Sequence, residues 1–214
     1  MRFFQKAIRR AEIDVAYSTG FSPHQIMSFA FPLGVGMESN GEYLDVEVLS
    51  PITSQEFIDK FQATTAYGID VVDVRLLPEK CENAMASVAA ALYTVRFREG
   101  RAFKDGWQDK FFDFISQKQI SITKKTKRGT AEIDLKPAIY EAKLENDAFS
   151  LLVNASSEGN IKPTLVIEAF SAFLGEDLQD NALLITREET YGLKANEDGS
   201  STFIPLSDFG TWID

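Results

Sequence analysis

The sequence predicts an α+β chain of two tandem βαββαβ units, the ferredoxin-like arrangement, with the first unit lacking its leading strand. Three observations lead there. Helix-period and strand-period stretches follow in the order helix, strand, strand, helix, strand; a charged linker with a proline interrupts them; the order then begins again, now with a strand in front. The boundaries read as 1–78 for the first unit, 79–88 for the linker, 89–195 for the second unit and 196–214 for an acidic tail.

Residues 2 to 11 open the chain as a helix, because Phe3, Phe4, Ala7, Ile8 and Ala11 recur at helical spacing while Arg2, Lys6, Arg9 and Arg10 fall on another face. That basic face suits either plain solvation or contact with phosphate. Strand character follows at Asp14 to Ser18, at Met27 to Phe31, and at Tyr43 to Leu49, where Leu44, Val46 and Val48 alternate with Asp45 and Glu47. Between the last two stands Asn40-Gly41, a dipeptide suited to a tight hairpin turn. Thr53 and Glu56 then make a capping box for a helix that Gly68 can end, and Val72, Val74 and Leu76 read as the strand after it.

In the second unit Leu92 to Phe97 is the first strand. Asp105 and Gln108 are expected to cap a helix carrying Trp107, Phe111, Phe114 and Ile115, and Ile120 to Thr123 is strand again. Ile139 to Leu144 and Phe149 to Val153 read as a hairpin across Asn146-Asp147. Pro163 suits the first turn of a helix that Gly175 ends after Leu174, and Leu183 to Thr186 closes the unit. The tail from Asn196 ends in Phe203, Phe209 and Trp212, which fits either a docking strand or a partly ordered end.

Composition narrows the chemistry. The 214 residues are 44% apolar and 25% charged, enough for a core without staples, and the net charge of −10 disfavours a wholly cationic grip on nucleic acid. A single cysteine, Cys81, excludes an intrachain disulfide, and with a single histidine, His24, it excludes a Cys/His zinc site or an iron–sulfur cluster held by this chain alone. No apolar run approaches a membrane span, so a soluble, cytoplasmic protein is expected.

His24 lies in Tyr17-Ser18-Thr19-Gly20-Phe21-Ser22-Pro23-His24, a segment too broken by Gly20 and Pro23 to be a helix. We expect a loop used for recognition, with Tyr17, Ser18, Gly20, Phe21, Ser22, Pro23 and His24 as its binding residues. As the one side chain that titrates near neutrality, His24 is also the candidate general acid or base, and a pairing with Tyr17 or Glu42 would support it. A histidine that merely pins its loop is the plainer reading. A second basic locus is Lys124-Lys125-Thr126-Lys127-Arg128-Gly129, which could hold phosphate or an acidic partner through Lys124, Lys125, Lys127 and Arg128, or simply keep a strand edge from pairing. Arg9 and Arg10 complete the candidate binding set.

Several of these blocks together resemble a known family. Ala7-Ile8-Arg9-Arg10-Ala11, Ala16-Tyr17-Ser18, Gly20-Phe21-Ser22-Pro23-His24, Ser28-Phe29-Ala30, Pro32-Leu33-Gly34 and Glu42-Tyr43-Leu44-Asp45 are similar to the radical-SAM-linked protein family, as are the Lys-rich loop with Asp134 and Pro137, Asn160-Ile161-Lys162-Pro163 and Ile185-Thr186-Arg187. The resemblance covers most of residues 1 to 195. It implies a bacterial domain encoded beside, or fused to, a radical SAM protein, and a start at Met1 that is internal to the family pattern. Ala155-Ser156-Ser157 departs from the family's more usual Ala-Gly-Ser turn.

The resemblance implies a non-catalytic accessory or substrate-binding module. S-adenosylmethionine and the cluster would sit on the partner radical SAM protein, with no cofactor on this chain. RNA is the substrate class suggested by fold-level analogy, although the aromatic signature of an RNA-recognition sheet is not evident. The alternative is a metal-independent RNA-processing enzyme using His24.

Overall fold

The structure is a computed structural model, and it describes every residue except 127 and 128, together with all side chains except those of 124–128 and 131. In chain order the helices are α1 (Arg2–Arg10), α2 (Ser54–Gln62), α3 (Ala84–Ser87), α4 (Trp107–Ile115) and α5 (Pro163–Leu174). The first strands are β1 (Met27–Phe29), β2 (Glu38–Ser39), β3 (Leu44–Val46), β4 (Ala90–Phe97) and β5 (Ser121–Thr126). They are followed by β6 (Gly129–Asp134), β7 (Ile139–Glu145), β8 (Ala148–Asn154), β9 (Leu183–Ala195) and β10 (Ser201–Pro205). The chain is therefore mixed α and β, and it divides into two units: residues 1–30, 43–87 and 204–214 form one, residues 31–42 and 88–203 the other.

In the first unit the apolar stripe of α1 is buried as its spacing demands. Ala7 and Ile8 pack with Ile13, Val15, Phe57 and Phe61, and Phe4 meets Phe29 edge-on at 5.0 Å. β1 and β3 pair antiparallel, Met27 opposite Val46 and Phe29 opposite Leu44. Thr53 caps α2 as its sequence predicts, its hydroxyl accepting from the Glu56 amide at 3.1 Å. The last residues dock here as extended chain: Leu76 bridges Thr211, and Ser54 exchanges hydrogen bonds with Ile213.

Four expectations fail in this unit. α2 ends at Gln62, with Ala63 as its C-cap, rather than at Gly68, and Asp14 to Ser18 makes single bridges, Val15–Val48 and Tyr17–Gln25, in place of a strand. Val72 to Leu76 forms no ladder beyond the Leu76–Thr211 bridge, because the Asp73 carboxylate turns back onto the Val74 amide and the Arg75 guanidinium. Asn40-Gly41 is no tight turn between β1 and β3, since the chain between them leaves as a long connection belonging to the second unit. The two-stranded β1–β3 sheet is short of a four-stranded βαββαβ unit.

The second unit runs β4, α4, β7, β8, α5, β9, and its sheet has the order β10-β9-β4-β8-β7, in which β9 with β4, β4 with β8 and β8 with β7 are antiparallel. Tyr93, Val95 and Phe97 share one face with Phe149 and Leu151, and this face meets α4 and α5. Phe111, Phe114, Phe149 and Phe170 are almost fully buried and meet ring to ring at 4.9 to 6.3 Å. The Asn146-Asp147 turn carries positive φ at both residues, and Gly175 ends α5 at φ 68°. Asp105 does not cap α4: the N-cap is Gly106 at φ 87°, and Gln108 bonds Asp147 instead. β5 and β6 pair antiparallel as a separate two-stranded sheet, Ser121 opposite Asp134.

Candidate functional site

Tyr17 and Gln25 face each other in an antiparallel bridge, and the seven residues between them make a tied loop. The Ser18 amide donates to the His24 carbonyl at 2.8 Å, and the His24 amide returns to the Ser18 hydroxyl at 3.1 Å. The same hydroxyl lies 2.8 Å from His24 Nδ1, so the only histidine is tethered by the residue six positions before it. Gly20, at φ 117°, supplies a backbone conformation that a residue with a Cβ rarely adopts. Beyond these ties the loop is open to solvent: Phe21 is 112% exposed, and Ser22, Pro23 and His24 are exposed as well.

The Ser18–His24 pair has the look of a nucleophile beside a base, but no third group among the described residues orients the imidazole from behind. Such pairs work when a third group fixes the ring. Among the described residues His24 bonds only Ser18, Tyr17 contributes its backbone to the bridge, and Glu42 is engaged elsewhere. Next to the loop, Gln25 is buried with its Oε1 lacking a hydrogen-bond partner among the described residues.

Glu42 belongs to a constellation that sequence reasoning missed. Arg187 on β9 is 1% exposed, and its Nη1 donates to Glu42 Oε1 at 2.6 Å and to the Phe31 carbonyl at 2.9 Å. Its Nη2 donates to the Pro32 carbonyl at 3.0 Å, and its guanidinium lies 4.4 Å from the Phe31 ring centre and 5.8 Å from that of Tyr93. Ser39 donates to the same Glu42 oxygen at 2.6 Å. Burial pushes the Tyr93 hydroxyl pKa up, and the neighbouring arginine offsets part of that rise. The arrangement pins residues 31–42 to β9 and presents no open substrate position. A signal existed in the sequence, since Arg187 stands two residues after Ile185 on a strand and so shares its inward face. Its partners, some 145 to 156 residues away, left none.

Residues 31–42 also show why position 41 is glycine. A Cβ there would lie 2.5 Å from the Glu189 Cα and 2.9 Å from the Glu188 carbonyl, so the backbones could not meet. Here β2 runs parallel to β9, Glu38 opposite Thr186, and Glu188 is the extra residue of a bulge against β4.

The remaining sequence-predicted residues lie apart from the loop. Arg9 and Arg10 are exposed in the last turn of α1. Lys124 and Lys125 lie on the β5 backbone opposite Ala131 and Thr130, while Lys127 and Arg128 fall outside the described residues. An open groove of about 530 Å³ at the start of α4 is lined by Arg96, Arg98, Glu99, Asp105 and Asp147 among others, a mixture of signs. Cys81 is exposed and free. Among the described residues no helix is long and apolar enough to cross a membrane.

Neither a curated protein nor a solved structure matches the chain. A family does, over residues 1–163, a span that takes in α1, the tied loop, residues 31–42 and the β5–β6 pair. The chain belongs to the family described as an uncharacterized protein conserved in bacteria, DUF2344.

Proposed function

We propose that this chain is a non-catalytic accessory module that recognises its substrate or partner through the Tyr17–Gln25 loop, in association with a radical SAM protein that carries the iron–sulfur cluster and S-adenosylmethionine. RNA is the substrate class. The observation that carries the reading is the contrast within the loop: its backbone is tied by three short contacts between Ser18 and His24, yet Phe21 stands wholly in solvent. A ring presented from a loop tied at its base costs mainly its own rotamer freedom on binding, which suits it to anchor an interface. His24, bonded to Ser18 at 2.8 Å, acts in this reading as part of the tether.

We read the second unit as ferredoxin-like from its element order and strand order, while the first unit keeps only part of that plan. The face of its sheet turned away from the helices does not favour nucleic acid. By register Glu141, Glu145 and Glu189 lie there against Lys143 and Arg96, with Lys143 paired to Glu141, and the pKa of Tyr191 on that face is raised by burial and then by Glu189 and Glu141.

The test is an anaerobic binding titration between this chain and the radical SAM protein encoded beside it, with wild type and Phe21→Ala compared. The reading expects roughly tenfold or greater weakening with an unchanged melting temperature. Equal affinity of the two forms would refute it.

A further inference from the structure

We propose that the outward face of α1 is a docking face for the phosphodiester backbone of a nucleic acid, with Arg2, Lys6, Arg9 and Arg10 as its phosphate ligands. The proposal deepens the RNA reading above, and rests on it, by assigning the polyanion to one surface. All four side chains are exposed, and none of them makes an ion pair or hydrogen bond among the described residues. In a chain of net charge −10 this helix of nine residues contains no acid at all. Arg2, Lys6 and Arg9 follow at spacings of four and three and so form one stripe, with Arg10 beside Lys6. At about 1.5 Å of rise per residue the stripe extends roughly 12 Å.

Helix stability does not explain this placement. Cations favour the last turn of a helix, which accounts for Arg9 and Arg10, but Arg2 sits in the first turn, where the macrodipole opposes it and where no acidic residue compensates. A membrane surface does not explain it either. The apolar residues that would have to insert, Ala7 and Ile8, are 0% exposed in the core of the first unit. A protein partner is the weaker fit, since the cores of protein interfaces are depleted of charge while interfaces with nucleic acid are polar and strongly positive, as four cations with no acid among them are.

The experiment measures binding of the full chain to a 20-nucleotide oligouridylate and to its DNA counterpart by fluorescence anisotropy across a salt series. Polyglutamate and anionic phospholipid vesicles serve as competitors. Four phosphate contacts on a single strand predict a log–log salt slope of about −3. The key variant is Arg2→Glu with Lys6→Glu, which leaves the last-turn arginines in place, puts one acid in the first turn where the macrodipole favours it and puts another three and four residues before Arg9 and Arg10. It should bind both oligonucleotides roughly tenfold or more weakly, with a flatter salt slope, while its melting temperature stays at or above that of the wild type. Wild-type binding that the variant retains would place the nucleic acid on another surface and overturn this assignment, leaving the RNA reading intact. No binding to either strand would overturn both. Displacement by polyglutamate or vesicles as effective as by oligonucleotide would overturn the nucleic-acid assignment in favour of a general acidic partner.

Discussion

Replacing Arg187 by alanine removes the charge that holds residues 31–42 against β9. The carbonyls of Phe31 and Pro32 lose their donor at once, and the Glu42 carboxylate loses the guanidinium while keeping the Ser39 hydroxyl. Breaking a buried pair by deleting one partner costs about 3–5 kcal/mol. The Arg187 side chain is 2% exposed, but that of Glu42 is 35% exposed and can recover water, so the lower end applies. Loss of the packing between the Phe31 and Tyr93 rings adds a contribution of about 1 kcal/mol. We expect about 3–4 kcal/mol. Urea unfolding followed by Trp107 fluorescence reports the second unit, because that ring is buried in its aromatic core, and a Trp212→Phe background removes the signal of the first unit. Glu42→Gln should cost about 2 kcal/mol, since an amide oxygen can still accept from Nη1 while the guanidinium loses its counter-charge. The double variant should fall short of the sum, because the two side chains touch. A loss below about 1 kcal/mol for Arg187→Ala would refute the view that this pair anchors residues 31–42.

Other changes test other features. Phe21→Ala should leave stability within about 0.5 kcal/mol of wild type, whereas Phe111→Ala, at 0% exposure, should cost about 3–5 kcal/mol in the same denaturation assay. Gly41→Ala should cost about 1–3 kcal/mol, because the new Cβ meets main chain at 2.5 Å rather than a side chain that can swing aside; a neutral result by thermal melting would show that β2 is free to shift. Asp45 is held above the usual carboxylate range by burial, partly offset by the hydrogen bond from the Ala84 amide. A raised folded-state pKa means that the folded form holds its proton more tightly than the unfolded chain. This contribution to stability is therefore present at low pH and is lost as pH rises from the ordinary carboxylate value through the folded one. Asp45→Asn, which keeps an acceptor for Ala84, should be at least as stable as wild type at neutral pH, and the stability difference between the two should shrink on acidification.

Features written in short-range pattern were legible in the sequence. The Pro163 to Leu174 helix with Gly175 at φ 68°, the Asn146-Asp147 turn and the Thr53–Glu56 cap all rest on residues within a turn or two of one another. The tied loop was legible in part: its exposure follows from Gly20 and Pro23, but the bond from Ser18 to His24 does not. What could not be read depends on distant strands. Asn40-Gly41 carries the local mark of a tight turn, yet Gly41 is needed because Glu189 approaches it from 148 residues away. Val72 to Leu76 carries the alternation of a strand, but a ladder needs a neighbour, and one bridge to Thr211 is all it finds.

The long-range pinning of residues 31–42 also sets a clock for the growing chain. Glu42 is synthesised 145 residues before Arg187, and at about 5–20 residues per second the ribosome takes roughly 7 to 30 s to supply the strand that receives it. Through that interval the carbonyls of Phe31 and Pro32 and the short strand Glu38–Ser39 have no β9 to pair with, and the carboxylate of Glu42 has no guanidinium. β1 and β3 can meet early, since only the stretch from Phe29 to Leu44 separates them, but the chain between them must wait as a slack loop. Newly made protein should thus pass through a stage in which residues 1–30 and 43–87 have gathered around α1, still without the 204–214 stretch that completes the first unit, while the segment between them dangles, open to chaperones and proteases until β9 is made.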